Sequence, residues 1–248
     1  MANERDEGVR VKRERQNVFL FDVDNTLLDN DRVTVALRSF LESEVGPKRN
    51  ARYWKIFETL RSELGYADYL GALQRYRLHY PHDSHFLALS TFLINYPFAN
   101  RLFPRSLDVL DHFKKWGPVV ILTDGDAVFQ PRKIERSGLF EAVDKNILIY
   151  IHKEQELKDI ARRYPARHYV LVDDKIRILT AIKEQWKKRA TTVFVRQGHY
   201  AFDKVKIAKY PAADITVDFI GDLLDYDFSP KKSGPCLTKR QIQDKNLL

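Results

Sequence analysis

Four short apolar runs in this chain end in side chains that can do chemistry. Val18-Phe19-Leu20-Phe21 runs into Asp22, Asp24 and Thr26, and Val119-Val120-Ile121-Leu122 runs into Thr123, Asp124 and Gly125. Residues 147–151 precede His152 and Lys153, and residues 169–172 precede Asp173 and Asp174. If these runs are parallel strands of one sheet, all of these residues gather at the carboxyl edge, where α/β sheets bind their ligands. Converging carboxylates repel one another and resist ionisation unless a cation joins them. Oxygen ligands without a paired His or Cys set point to Mg²⁺ rather than zinc. A metal, two carboxylates spaced i, i+2, a hydroxyl and a lysine are the parts of phosphoryl transfer through an aspartyl-phosphate. In an extended segment Asp22 and Asp24 project to the same side. One of them can attack phosphorus while the other handles the leaving-group proton. Thr123, with the backbone N–H groups of Asp124 and Gly125, is placed to hold phosphoryl oxygens. Lys153 is placed to neutralise the developing charge.

The elements that must position these residues follow from the apolar pattern. The runs at 18–21, 119–122, 147–151, 169–172 and 191–195 are continuous rather than alternating, which suits strands buried on both faces of a parallel sheet. Helical stretches at 106–116, 130–137, 154–163 and 176–187 separate them. The predicted fold class is therefore α/β, a Rossmann-like doubly wound parallel sheet. Residues 30–103 break the rhythm. Val33, Ala36, Leu37, Phe40 and Leu41 fall on one helical face, as do Tyr53, Ile56, Phe57, Leu60 and Leu64. Two further stripes run over 70–80 and 86–93. We expect an all-helical cap inserted at 30–103, with the α/β core formed by 17–29 and 104–228.

Here the sequence resembles a known family. Phe21-Asp22-Val23-Asp24-Asn25-Thr26-Leu27 matches the DxDxT motif of the haloacid dehalogenase-like (HAD) superfamily, and Ile121-Leu122-Thr123-Asp124-Gly125 resembles its second motif. Lys153 stands where its third-motif lysine falls, and Val170-Leu171-Val172-Asp173-Asp174 looks like its acidic fourth motif. The resemblance spans residues 18 to about 228 and sets the helical insertion where the family carries a C1-type cap. It implies Asp22 as nucleophile and metal ligand, and Asp24 as general acid/base whose backbone carbonyl also binds Mg²⁺. It implies Thr123 and Lys153 as phosphoryl contacts, with Asp174 the fourth-motif metal ligand and Asp173 beside it. Family members that cleave carbon–halogen bonds lack the acid two residues after the nucleophile, so Asp24 implies a phosphatase. The pattern departs at Lys153, followed by Glu154 instead of proline, which leaves Lys158 as the alternative. It departs again at Arg177 and Ile178, where many relatives carry another acid.

Other features read as structural. His152 has no second His placed with it. Arg132 and Lys133 read as a solvated helix face, and the cap tyrosines and basic residues between Tyr66 and Tyr80 as packing or surface. The expected activity is a Mg²⁺-dependent phosphatase for a small phosphorylated metabolite. The alternatives are a polynucleotide or nucleotide phosphatase and a non-catalytic binding module of the same fold. A receiver domain has the same parts but puts its acid pair first in the chain.

The net charge of +8 over 248 residues raises a nucleic-acid partner as a question. Residues 1–16 carry +1 and residues 229–248 carry +4, which leaves an ordinary +3 for the body and argues against a nucleic-acid partner. The two ends read as a mobile N-terminal arm (1–16) and a basic C-terminal tail (229–248) that Leu247 and Leu248 could dock. A single cysteine, Cys236, excludes an intrachain disulfide and a Cys-built zinc site. No apolar run is long enough to span a membrane and no secretory h-region opens the chain, so a cytoplasmic location is expected. The pattern sets no oligomeric state.

Overall fold

The computed structural model describes residues 15–229 and the backbone of 238–239. Six parallel strands form one sheet: β1 (Arg15–Phe21), β2 (Val119–Asp124), β3 (Ile147–Tyr150), β4 (Ala166–Asp173), β5 (Ala190–Val195) and β6 (Ile215–Val217). Their order is β3-β2-β1-β4-β5-β6, the doubly wound arrangement, with β1 at the switch point between its two halves. All five predicted strands are present. The sixth, β6, is only three residues long and escapes a pattern search. A two-residue antiparallel pair, β7 (Tyr226–Asp227) with β8 (Thr238–Lys239), lies apart from the sheet.

Two predicted ends need correction. β1 begins at Arg15, so the last residues of the expected arm are strand. Part of the expected C-terminal tail is also strand, because β8 pairs with β7. Leu247, Leu248 and residues 1–14 lie outside the described residues.

The strands alternate between two apolar layers, as a period of two requires. Phe19, Phe21, Ile121, Val170 and Val172 face one cluster; Val18, Leu20, Val120, Leu122 and Leu171 face the other. The second layer is closed by α7 (Leu157–Arg163) and α8 (Ile176–Trp186). The first is covered by α4 (Ser106–Lys114), α5 (Phe129–Arg136) and the single turn α6 (Leu139–Ala142), and runs on without a break into the helices between β1 and α4.

Those helices are α1 (Asn30–Leu64), α2 (Tyr69–His79) and α3 (Phe86–Asn95). The first two predicted stripes form one long element, α1, broken at Gly46 (φ 78°, ψ 168°) and followed there by Pro47. Gly46 tolerates positive φ and Pro47 needs no N–H partner in a first turn, so the pair ends one helical segment and opens the next at a kink. Asp29 and Asp68 start α1 and α2 by accepting the Arg32 and Gly71 N–H groups. Asp83 fixes the far end. Its carboxylate, 1% exposed, receives Tyr76 Oη at 2.9 Å, Arg49 at 3.0 Å and the His85 backbone N–H at 3.0 Å, with His85 Nδ1 at 2.6 Å. No helix among the described residues is long and apolar enough to cross a membrane.

Candidate active site

Strand register brings the acids together. β1 pairs Phe21 with Val172 of β4 and with Ile121 of β2. One step further, Asp22 therefore stands beside Asp173 on one side and Leu122 on the other, and its N–H donates to the Val172 carbonyl at 2.9 Å. The chain then turns sharply. The Val23 carbonyl accepts from Thr26, Leu27 and Leu28, and Asn25 takes φ 61°, a left-handed conformation asparagine tolerates better than most residues. The turn returns Thr26 Oγ1 to within 3.3 Å of Asp22 Oδ2.

Lys153 enters the site and spends all three ammonium hydrogens there. Its Nζ lies 2.6 Å from Asp22 Oδ1, 2.6 Å from Asp173 Oδ2 and 3.2 Å from the Leu122 carbonyl, joining β1, β4 and β2. Burial alone would favour neutral lysine, but Asp173, Asp22 and Asp124 outweigh it and hold the ammonium charged. Lys158, the alternative, has no such place.

Asp22, Asp173 and Asp174 offer carboxylate oxygens within 4.8 Å of one another, all buried. Asp173 is partly satisfied by Lys153 and by the Lys175 N–H at 2.8 Å. Asp174 is not: both oxygens are buried, and no described residue gives either of them a hydrogen bond. A buried ion in that state is expensive, and such groups normally protonate or find a cation. Burial drives the Asp174 carboxyl well above its usual range, and the negative charges of Asp173 and Asp22 add to that against the pull of Lys175. The orphaned carboxylate, with two more beside it and no His or Cys, fits a hard divalent cation such as Mg²⁺. The Asp24 side chain is not part of this carboxylate cluster, and its expected metal contact is through the backbone carbonyl. Its Oδ1 takes Lys133 Nζ at 2.6 Å instead.

The second-motif residues divide. Thr123 is buried at the end of β2, and its Oγ1 accepts from Gln130 Nε2 at 2.9 Å. Asp124 accepts the Lys153 N–H at 2.7 Å, and burial pushes its carboxyl up to about 6. Gly125 does not offer its N–H to an anion, since that group donates to the Tyr150 carbonyl at 3.1 Å. Glycine is needed there for another reason: a Cβ would meet the Gln130 Cβ at 2.7 Å.

Lys133 corrects the sequence reading. It is 1% exposed, and besides Asp24 it donates to Asn30 Oδ1 at 3.0 Å. Asn30 in turn reaches Tyr69 Oη at 3.3 Å, and Tyr69 Oη lies 3.0 Å from Thr34 Oγ1. Arg132 does lie on the surface side, paired with Glu135 at 2.8 Å. A signal for Lys133 and Gln130 was present. They fall at helical spacing with Phe129 and Ile134, on the buried stripe of α5. Lys175 was also missed, since one polar residue after an acid pair carries no pattern. His152 is structural. Its ring packs on Gly65, which ends α1 at φ 80° and has no room for a Cβ, His152 Cε1 being 2.6 Å from that point. A cavity of about 760 Å³ opens from this edge, lined by Asp24, Asp124 and Lys133 on the sheet side and by α1 on the other.

Comparison with known proteins agrees with this architecture. The profile described as a hydrolase family, haloacid dehalogenase-like hydrolase, matches residues 16–185. A crystal structure from Burkholderia xenovorans LB400, described as a haloacid dehalogenase-like hydrolase, is 60% identical with a TM-score of 0.83, covering 86% of this chain and 99% of its own. The magnesium-bound HAD-hydrolase YfnB of Bacillus subtilis shares the fold at 17% identity and TM-score 0.55, with 85% and 97% covered. The L-2-haloacid dehalogenase of Xanthobacter autotrophicus, with chloropropionic acid covalently bound, does so at 16% and 0.56, with 84% and 97% covered. No curated protein sequence matches. The family match over residues 16–185, together with the 60% identical relative, shows that the chain belongs to the haloacid dehalogenase-like hydrolases.

Proposed function

We propose that this hydrolase is a Mg²⁺-dependent phosphatase acting on a small phosphorylated metabolite through an aspartyl-phosphate on Asp22. The observation that carries the reading is the orphaned Asp174 carboxylate beside Asp22 and Asp173. Displacing halide from a 2-haloalkanoate, itself a monoanion, calls for no cation, so a third buried carboxylate in such a site would stay uncompensated. A site built to receive a phosphate dianion beside a carboxylate needs a cation, and a cation needs such ligands. Asp22, Asp173 and Asp174 would hold the metal. When bound, it would neutralise the acids and shield the phosphoryl charge.

The side chains supply the rest. A carboxylate oxygen of Asp22 attacks phosphorus, and the bond from phosphorus to the leaving oxygen breaks. Asp24 gives its proton to that oxygen, then takes one from the water that cleaves the acyl phosphate and frees Asp22. Lys153 orients Asp22 through its 2.6 Å contact with Oδ1 and offers a positive charge to the reacting oxygens. Thr123, fixed by Gln130, donates to a phosphoryl oxygen. The helices over 30–95 cover the cavity and exclude competing water.

Phosphate release from p-nitrophenyl phosphate tests this. We expect turnover with Mg²⁺, loss of turnover in EDTA, and a fall of at least about 10³-fold in Asp22→Asn. Halide release from 2-chloropropionate without phosphate release would replace the reading with a dehalogenase.

A further inference from the structure

The cavity is larger than a phosphoryl group requires. At about 760 Å³ it falls in the roughly 300–1,000 Å³ range of sites for whole organic ligands, so the leaving group fills most of it. Its lining is cationic, with seven Lys or Arg against four Asp or Glu. Most of these cations are already matched. Lys133 lies 2.6 Å from Asp24, Arg61 is 3.6 Å from Glu58, Arg177 is 2.7 Å from Glu154, and Lys206 is 3.0 Å from Asp203. Lys175 sits among the acids of the strand edge, which hold its ammonium charged despite burial.

Arg38 is different. No carboxylate among the described residues pairs with it, and no hydrogen bond to a described residue uses its guanidinium. Lys209 is also without a carboxylate among the described residues, and both side chains are exposed, but no aromatic ring among the described residues holds Lys209 in place. Arg38 is held in place: its Cζ stands 4.3 Å from the centroid of the Trp54 ring, and Trp54 is itself buried on the same bent helix. Stacking on indole keeps a guanidinium flat and leaves its N–H edge open for a planar or tetrahedral oxyanion. A charged, unmatched fork held on an indole, on the wall of a cavity that reaches Asp24 and Asp124 beside the proposed phosphoryl site, is a seat for a second anion.

Building on the phosphatase reading, we propose that the substrate is a phosphate monoester whose leaving group carries a second oxyanion, carboxylate or phosphate, received by Arg38 on its Trp54 platform. Calorimetry with phosphonates, which are not hydrolysed, tests this without relying on turnover. The full chain with Mg²⁺ is titrated with pentylphosphonate, 5-phosphonopentanoate and pentane-1,5-bisphosphonate. At least one of the two doubly anionic ligands should bind about 10-fold or more tighter than pentylphosphonate. The tighter of the two identifies the oxyanion. Arg38→Ala should bring the ratio to within about twofold, and Arg38→Lys should keep part of it. Equal affinities in the native protein overturn the proposal, as does a preference that survives Arg38→Ala. Failure of the phosphatase reading shows separately, as absence of Asp22-dependent phosphate release.

Discussion

Two buried carboxylates in this molecule have opposite surroundings. Asp83, among the helices, is 1% exposed and is met by two backbone or hydroxyl donors, a guanidinium and an imidazole. Asp174, just past the end of β4, is fully buried and is met by none among the described residues. Burial pushes both carboxyls upward. At Asp83 the His85 N–H and ring, Tyr76 and Arg49 override that push and hold it below the usual range; at Asp174 Lys175 fails to. A satisfied buried acid is part of the scaffold. An unsatisfied one marks a place where something else is meant to bind.

Substituting each acid should separate the two roles. Asp174→Asn should lower Mg²⁺-dependent phosphate release by at least about 100-fold, while the metal-free protein melts no lower than the native one. Mg²⁺ should raise the melting temperature of the native protein and not that of the variant. A large loss of metal-free stability in Asp174→Asn would erase the contrast. Asp83→Ala should instead destabilise the fold by about 3 kcal/mol, with or without Mg²⁺, as denaturant unfolding would read.

Lys133 sharpens the picture at the acid/base. Lys133→Met frees Asp24 Oδ1 and removes the bond to Asn30. We expect kcat for an alkyl phosphate, which needs a proton on leaving, to fall about 100-fold, against less than about 10-fold for p-nitrophenyl phosphate. Equal losses on both would make Lys133 a packing residue only.

The smallest effect is in pH and has opposite signs at the two acids. The carboxyl of Asp83 is depressed in the folded state, so its contribution is complete above the ordinary carboxylate range, near 3.9, and is lost as pH falls through the folded value. The carboxyl of Asp174 is raised, so the metal-free protein loses stability as pH rises from about 3.9 through the folded value. Urea titrations in EDTA across this range should show the acid-side slope flattened by Asp83→Asn and the upper slope flattened by Asp174→Asn.

Much of this was legible in the sequence because the sheet is parallel and buried on both faces. Strands such as residues 119–122 are unbroken apolar runs, and the first reactive side chain after each run marks its carboxyl end. Asp22, Thr123, Lys153, Asp173 and Asp174 all stand out that way. What stayed hidden came from elements that meet across the fold. Lys133 looks like any helix lysine until α5 is packed and its stripe turns inward toward Asp24, 109 residues away. The spent N–H of Gly125 depends on the Tyr150 carbonyl of a neighbouring strand. The three-residue β6 has too little pattern to find.

The continuity of one apolar layer from the sheet face into the helices has a mechanical consequence. Tyr69 of α2 rests on Phe129 of α5 with ring centroids 5.0 Å apart, and Phe98 meets the same ring at 5.6 Å. The seam at this contact is dry, and parting α2 from α5 there would wet the apolar layer beneath it. Such a contact favours small sliding of ring over ring above a hinged separation of α2 from α5.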